Sequence, residues 1–131
     1  MTVTAGDLNG DGKIDLAFAH CCPSPTAGVL LGRGDGTFDA PISLSIPDSA
    51  GSIALADFDG DGRIDLAFQM TTTVAVLLGN GDGSFQRARS IVAGTSLLDL
   101  AAADMDGDGK PDLVVADYGS NAVEVLRNTT P

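Results

Sequence analysis

Aspartate side chains recur in a nine-residue loop that the chain repeats three times. The first copy reads Asp7-Leu-Asn-Gly-Asp-Gly-Lys-Ile-Asp15, and further copies begin at Asp57 and Asp104. When such a loop coils tightly, the side-chain oxygens at positions 1, 3, 5 and 9 converge on one point, and position 7 can add its backbone carbonyl. The glycine at position 6 permits the sharp turn. This number of hard oxygen ligands suits Ca²⁺, whereas Mg²⁺ demands a tighter octahedron and keeps its waters.

The predicted ligands occupy the same positions in each loop, for three Ca²⁺ per chain. The side-chain ligands are Asp7, Asn9, Asp11 and Asp15; Asp57, Asp59, Asp61 and Asp65; and Asp104, Asp106, Asp108 and Asp112. The backbone carbonyls of Lys13, Arg63 and Lys110 complete the three sets. Eleven of the 18 acidic residues lie in these loops, so three Ca²⁺ ions would change the formal net charge from −11 to −5.

Two other interpretations compete with a calcium loop. An EF-hand needs an acidic residue at position 12, where this chain has Phe18, Phe68 and Val115 in apolar segments, so that interpretation fails. The second alternative is a metal-free Asp-Gly turn held by side-chain hydrogen bonds. Four carboxylates crowded into nine residues repel one another, and a divalent cation relieves that repulsion, which favours calcium. The loops contain no His or Cys, which argues against zinc.

The loops are part of a longer repeating unit. Their starts at residues 7, 57 and 104 are separated by 50 and 47 residues, and a second motif keeps the same register. Val29-Leu-Leu-Gly-Arg-Gly-Asp-Gly-Thr-Phe38 matches Val76-Leu-Leu-Gly-Asn-Gly-Asp-Gly-Ser-Phe85, whereas the third copy, Val125-Leu-Arg-Asn128, diverges before the Gly-Asp-Gly turn. Each unit contains short apolar segments between turn signals, which predicts four strands in the first two units and three in the last.

The side-chain pattern indicates how these strands pack. Ile14, Leu16 and Phe18 alternate with Ala17 and Ala19. Large side chains on one face and small ones on the other suit a sheet that is buried on both faces and stacked closely on its neighbours. Four-stranded units of about 40 to 50 residues are typical of β-propeller blades. A β-helix, with its shorter coils, and a sandwich, which would not repeat a turn motif so faithfully, are the alternatives.

The predicted fold is therefore all-β, in one repeat domain over residues 1–131. Its antiparallel blades span residues 1–50, 51–97 and 98–131, and the last blade lacks its fourth strand. Propellers close with at least about four blades, so three blades would leave apolar faces open at both ends. Two hypotheses follow: the chain is part of a longer propeller, or it forms a homo-oligomer, with a dimer closing a six-bladed ring.

The loops followed by Ile-Asp-Leu or Pro-Asp-Leu, together with the Gly-x-Gly-Asp-Gly-x-Phe motif, resemble the FG-GAP/VCBS repeats of calcium-binding β-propellers. Integrin α-subunit heads and many bacterial surface and secreted proteins carry these repeats. The resemblance extends from about residue 3 to residue 128 and implies a structural Ca²⁺ in a loop that joins two strands of a blade. It also implies an extracellular or cell-surface location, although no signal peptide is visible at the N-terminus.

Composition limits the classes of function. With seven Lys and Arg residues against 18 acids, nucleic acid is not an expected partner, and no apolar run reaches the roughly 18 residues of a membrane span. One His and carboxylates already assigned to metal leave no acid–base pair, so we expect no enzyme activity. The adjacent Cys21 and Cys22 cannot link distant segments.

The expected function is a calcium-stabilised scaffold for binding, adhesion or display of a protein or glycan ligand. A lectin-like propeller is an alternative, although the chain has no Trp and one Tyr, and sugar faces usually stack on such rings. The other alternative is a non-catalytic fragment of a larger propeller enzyme.

Overall fold

Eleven β-strands make up the regular secondary structure of the computed structural model, which describes residues 1–20 and 26–131. Cys21 and Cys22 lie outside the described residues. The strands are β1 (Thr2–Gly6), β2 (Asp15–His20), β3 (Thr26–Leu30), β4 (Ile42–Leu44), β5 (Ser52–Ala56), β6 (Asp65–Gln69), β7 (Thr73–Leu77), β8 (Arg89–Val92), β9 (Leu97–Ala103), β10 (Asp112–Asp117) and β11 (Ala122–Leu126).

The strands form three antiparallel sheets in which consecutive strands are neighbours. The first sheet has the order β1-β2-β3-β4, the second β5-β6-β7-β8, and the third β9-β10-β11. Strands β1 and β5 are in contact, as are β5 and β9, so the first strands of the three sheets lie side by side. The all-β prediction and the numbers of strands per unit, four, four and three, are confirmed. The predicted boundary after residue 97 falls one residue inside β9.

Each interface between sheets packs small side chains against large ones. Ala17, Ala19 and Val29 of the first sheet share one buried cluster with large residues of the second sheet, which are Leu66, Phe68 and Leu77. A second cluster joins Ala54, Ala67 and Val74 of the second sheet to Leu100, Leu113 and Val115 of the third. Full burial of a side chain such as Phe68 contributes about 1.5–3 kcal/mol, so these clusters hold the sheets in a stack.

The prediction that the sheets are buried on both faces holds for the central sheet and needs correction at the first. Every residue of β6 is buried. In β2 only the face of Ala17 and Ala19 is fully buried, whereas Leu16 and Phe18 are half-buried and Ile14, just before the strand, is 60% exposed. The cause is position in the stack, because no described sheet covers the outer face of the first sheet.

Among the described residues, no helix is long and apolar enough to cross a membrane.

Candidate metal centre

The three Asp loops connect the first and second strands of each sheet, between β1 and β2, β5 and β6, and β9 and β10. Two glycines set the course of each loop. In the central loop, Gly60 and Gly62 have φ angles of 77° and 84°, in the left-handed region that only glycine adopts freely. A Cβ atom at either position would meet nothing within 4 Å, so backbone conformation rather than space requires glycine there. The loop motif predicted this role for the glycine at position 6 alone, and the same role of the glycine at position 4 was not predicted.

The carboxylate at position 1 holds the loop closed. One oxygen of Asp57 accepts hydrogen bonds from the amides of Gly60 and Asp61, at 2.7 and 3.1 Å, and the other accepts one from Gly62 at 2.8 Å. Asp7 makes the same three bonds in the first loop, and Asp104 bonds Gly107 and Gly109 in the third. The backbone therefore wraps around this carboxylate, as the tight coiling of the prediction requires.

Positions 3 and 5 bring further oxygens to the same place. Carboxylate oxygens of Asp57, Asp59 and Asp61 lie within 4.8 Å of one another, and those of Asp104, Asp106 and Asp108 do so in the third loop. In the first loop Asn9 replaces the carboxylate at position 3, and its side-chain oxygen accepts a hydrogen bond from the Asp11 amide at 3.1 Å. Three negative charges at such distances repel one another, and an added cation would convert that repulsion into attraction.

Position 9 differs from the other three because its carboxylate is buried. Asp15, Asp65 and Asp112 are at most 1% exposed. One oxygen of Asp65 accepts a hydrogen bond from the Phe58 amide, within the loop, and the other accepts one from Gly79, after β7, both at 2.7 Å. Burial raises the pKa of Asp65 above its ordinary value. The position 9 carboxylate thus joins the loop to the end of the third strand, and its role as a metal ligand stays a prediction.

The same link recurs in the other two sheets. Asp15 accepts hydrogen bonds from Leu8 at 2.8 Å and Gly32 at 2.7 Å, and Asp112 accepts them from Met105 at 3.0 Å and Asn128 at 2.7 Å. The sequence contains a signal for this link, since the Val-Leu-Leu-Gly motif follows the Asp loop in register. The shared register of the two motifs is visible in the sequence, but a contact between them was not predicted.

The basic residues at position 7 partly offset the charge of the loops. The Lys13 ammonium lies 3.2 Å from a carboxylate oxygen of Asp11, and the Arg63 guanidinium lies 3.0 Å from one of Asp61. Exposed ion pairs of this kind contribute about 0–1 kcal/mol to stability. Displacing them would therefore cost little of the binding free energy of a divalent ion. The Lys110 ammonium instead donates a hydrogen bond to the Thr130 carbonyl. The carbonyl ligands at Lys13, Arg63 and Lys110 stay predictions.

The donor set fits a hard divalent cation. Carboxylate and amide oxygens are the ligands that Ca²⁺ and Mg²⁺ accept, and Ca²⁺ tolerates the irregular arrangement that a flexible loop offers. When bound, the ion would be held by the oxygens at positions 1, 3 and 5 and would neutralise charge that otherwise opposes closure of the loop.

A groove of about 590 Å³ lies between the second and third sheets, and three residues of the Asp loops, Phe58, Asp59 and Pro111, contribute to its lining. Its apolar wall includes Val76, Ile91 and Leu113. Polar side chains at its margin include Arg89 and Asn128. This groove lies where β8 extends beyond the three-stranded third sheet, which is why Ile91 remains 43% exposed.

The stacked sheets of three or four antiparallel strands and their Asp loops define a propeller-like repeat protein. The family model described as "FG-GAP-like repeat" matches residues 7–68 and 67–115, so the chain belongs to the FG-GAP-like repeat family. This confirms the resemblance seen in the motifs. None of the curated proteins matches this chain.

Two solved structures are similar over 98% of this chain. One is the crystal structure of TcdB2-TccC3-Cdc42, at 24% identity and a TM-score of 0.65, and this chain covers 7% of it. The other is an Agrocybe aegerita lectin, solved to explain specific recognition of non-reducing terminal N-acetylglucosamine, at 26% identity and a TM-score of 0.61. This chain covers 38% of the lectin chain, so it spans well under half the length of either structure.

Proposed function

We propose that this chain is a calcium-binding module in which Ca²⁺ in three Asp loops stabilises a stack of β-sheets that serves as an extracellular binding or display scaffold. The observation that carries the proposal is the clustering of the carboxylates at positions 1, 3 and 5 within 4.8 Å in two loops. The first loop has the same position 1 hydrogen bonds and replaces one carboxylate with Asn9. Membership of the FG-GAP-like repeat family supports calcium as the ion.

The ions in this proposal are structural. Each loop lies between two adjacent strands of one sheet, and its buried position 9 carboxylate is already hydrogen-bonded to the segment that follows the third strand of that sheet. A metal that binds only the folded loop adds its binding free energy to the stability of the sheet. We expect affinities on the order of 10⁻⁴ to 10⁻³ M, as in extracellular modules, which suits a location outside the cytoplasm.

The experiment is native mass spectrometry combined with calcium-dependent melting. We expect three Ca²⁺ per chain, a melting temperature that rises with calcium concentration, and a smaller rise with Mg²⁺. Asp59→Ala should remove one ion. Asp82→Ala is the matched control, because Asp82 is an exposed aspartate in a Gly-Asp-Gly turn outside the loops and accepts hydrogen bonds from Ser84. Calcium-independent melting of the parent protein would overturn the proposal.

Glycan binding is a second candidate for the activity of the scaffold. It is favoured by the similarity to the lectin and by the groove between the second and third sheets, where apolar and polar side chains meet. The Arg89 guanidinium would donate hydrogen bonds to sugar hydroxyls there. The test is binding of N-acetylglucosamine-terminated glycans in the presence of calcium. Arg89→Ala should abolish binding. Arg87→Ala should preserve binding, because Arg87 is exposed and does not line the groove. Binding unaffected by Arg89→Ala would exclude this groove.

We also propose that the module acts without catalysis. The chain has one His, His20, and its carboxylates are concentrated in the loops, which leaves no acid–base pair in the groove. Hydrolysis of a bound glycan that stops in a His20→Ala variant would overturn this part of the proposal.

A further inference from the structure

The outer face of the first sheet repeats the face that the second sheet buries. By strand register, Leu16 and Phe18 of β2 correspond to Leu66 and Phe68 of β6. Their cross-strand neighbours correspond as well: Val3, Ala5, Gly28 and Leu30 in the first sheet match Ile53, Leu55, Ala75 and Leu77 in the second. In the second sheet this face is packed against the first, but in the first sheet Val3 is 58% exposed.

The outer face of the third sheet repeats the small face that the other two sheets bury. Val114 and Ala116 of β10 take the register positions of Ala17 and Ala19 in β2. Around them lie Ala101, Val123 and Val125, in the positions of Thr4, Ala27 and Val29. Leu98, 62% exposed, and Val123, 71% exposed, border the same shallow depression on this face. Contiguous exposed apolar side chains of this kind mark interaction surfaces.

One register position on the outer face of the third sheet carries a charged residue, Asp99. Asp99 lies opposite Ala116, where the first two sheets have Thr2 and Ser52. Its carboxylate accepts a 2.6 Å hydrogen bond from the Ser52 hydroxyl of the second sheet. The other register positions around Ala116, at Ala101, Val114 and Val123, carry apolar side chains.

We infer that the outer face of the first sheet in one copy of the chain packs on the outer face of the third sheet in a second copy. The contact would continue the arrangement of the two internal interfaces, with large side chains of one sheet against small side chains of the other. Because the two surfaces differ, the contact is head-to-tail, and two such contacts close a ring of two chains and six sheets. This inference goes beyond the proposed function and does not depend on the ligands of the calcium loops.

The test is the mass of the calcium-loaded protein in solution by light scattering and native mass spectrometry, over a concentration series. We expect a two-chain species. Val3→Lys and Val123→Lys place a charge on opposite outer faces at exposed positions, so each should preserve the fold and the melting of the isolated chain while eliminating the two-chain species. Val92→Lys is the matched control, since Val92 is 79% exposed but lies on β8 in the central sheet, and it should leave the mass unchanged.

Mixing the two variants distinguishes the head-to-tail arrangement from a symmetric one. The Val3→Lys chain retains an intact third-sheet face and the Val123→Lys chain retains an intact first-sheet face, so the mixture should recover a two-chain species joined by that one intact contact and weaker than the parent's. Three results would overturn the inference: a parent protein that is monomeric at every concentration, disruption by one variant alone, or a parent dimer that survives both variants.

Discussion

The buried carboxylate of Asp65 accepts a 2.7 Å hydrogen bond from the backbone amide of Gly79, which follows the third strand of the same sheet. Its second oxygen bonds the amide of Phe58 in the Asp loop. One side chain thus fixes the loop between β5 and β6 to the turn after β7, before any metal is considered. The sheet therefore supports the loop and fixes the base from which the carboxylates at positions 1, 3 and 5 extend.

Removing this link should destabilise the protein with or without calcium. Asp65→Ala leaves two buried amides without an acceptor, at about 1–3 kcal/mol each, so we expect a loss of roughly 2–6 kcal/mol in the free energy of unfolding. The measurement is urea denaturation in the presence of a chelator. Asp48→Ala, at an exposed aspartate outside the loops, should be nearly neutral in the same assay. A loss that vanishes in chelator would mean that Asp65 acts only as a metal ligand.

The glycine partner of this link is constrained by space. A Cβ atom at Gly79 would lie 2.2 Å from the carbonyl oxygen of Ile64, a backbone atom that cannot move aside without disturbing β6. Gly79→Ala should therefore destabilise more than Gly60→Ala. The latter meets no atom within 4 Å and suffers mainly the left-handed backbone strain of about 1–2 kcal/mol. Thermal melting of both variants in chelator makes the comparison, and a larger loss for Gly60→Ala would contradict it.

The parts of the structure that follow from local chemistry are the parts that the sequence predicts. Asp-Gly loops and alternating apolar residues specify turns and strands through interactions between residues that are close in sequence. The eleven strands and the clustering of side chains at positions 1, 3 and 5 can therefore be predicted from the sequence. The role of Asp65 depends on Gly79, fourteen residues away, and the half-exposure of Phe18 depends on where the stack of sheets ends. Both are tertiary relationships, and alternation alone cannot reveal them.

Asp117 shows the same limit. Its segment, residues 117–121, is compatible from the sequence with either a contact loop or a turn, and the structure shows a buried carboxylate organising two segments. Asp117 accepts hydrogen bonds from the amides of Thr95 and Ser96, at 2.9 and 2.8 Å, and from that of Gly119 at 3.0 Å. Thr95 and Ser96 lie in the connection between β8 and β9, which no motif links to Asp117, whereas Gly119 lies in the turn after β10.

These hydrogen bonds predict an acid sensitivity. The Thr95 amide, followed by that of Ser96, holds the pKa of Asp117 well below its ordinary value. A carboxyl whose pKa is lowered by folding stabilises the protein above its unfolded-state pKa of about 3.9, and that contribution is lost as the pH falls through the folded-state pKa. Asp117→Asn should therefore be less stable than the parent near pH 7, and the difference should shrink as the pH falls below about 4.

The measurement is the melting temperature of both proteins across this pH range in chelator. Asp35→Asn is a useful control, because hydrogen bonds from the Thr37 hydroxyl and amide also lower the pKa of Asp35. Asp35 lies in an exposed turn, where solvent screens the contribution of these hydrogen bonds to stability. A constant gap between parent and Asp117→Asn at every pH would show that the loss comes from geometry rather than from ionisation.

The three Asp loops should not be equivalent in their effect on stability, because their sheets occupy different places in the stack. The central sheet is packed on both faces, and every residue of β6 is buried, whereas the first and third sheets each have an exposed outer face. In a linear array, loss of an inner unit removes two interfaces and loss of an end unit removes one. Asp61→Ala should therefore lower the melting temperature in saturating calcium more than Asp11→Ala or Asp108→Ala, which change the same loop position in the end sheets.

At a calcium concentration of about 100 times the dissociation constant, each ion contributes about 2.7 kcal/mol, enough to resolve the three variants. Differential scanning calorimetry with calcium and with chelator makes the comparison: the ranking should appear with calcium and largely disappear without it. Equal shifts for the three variants in calcium would indicate sheets that unfold independently, in conflict with the shared clusters that join them.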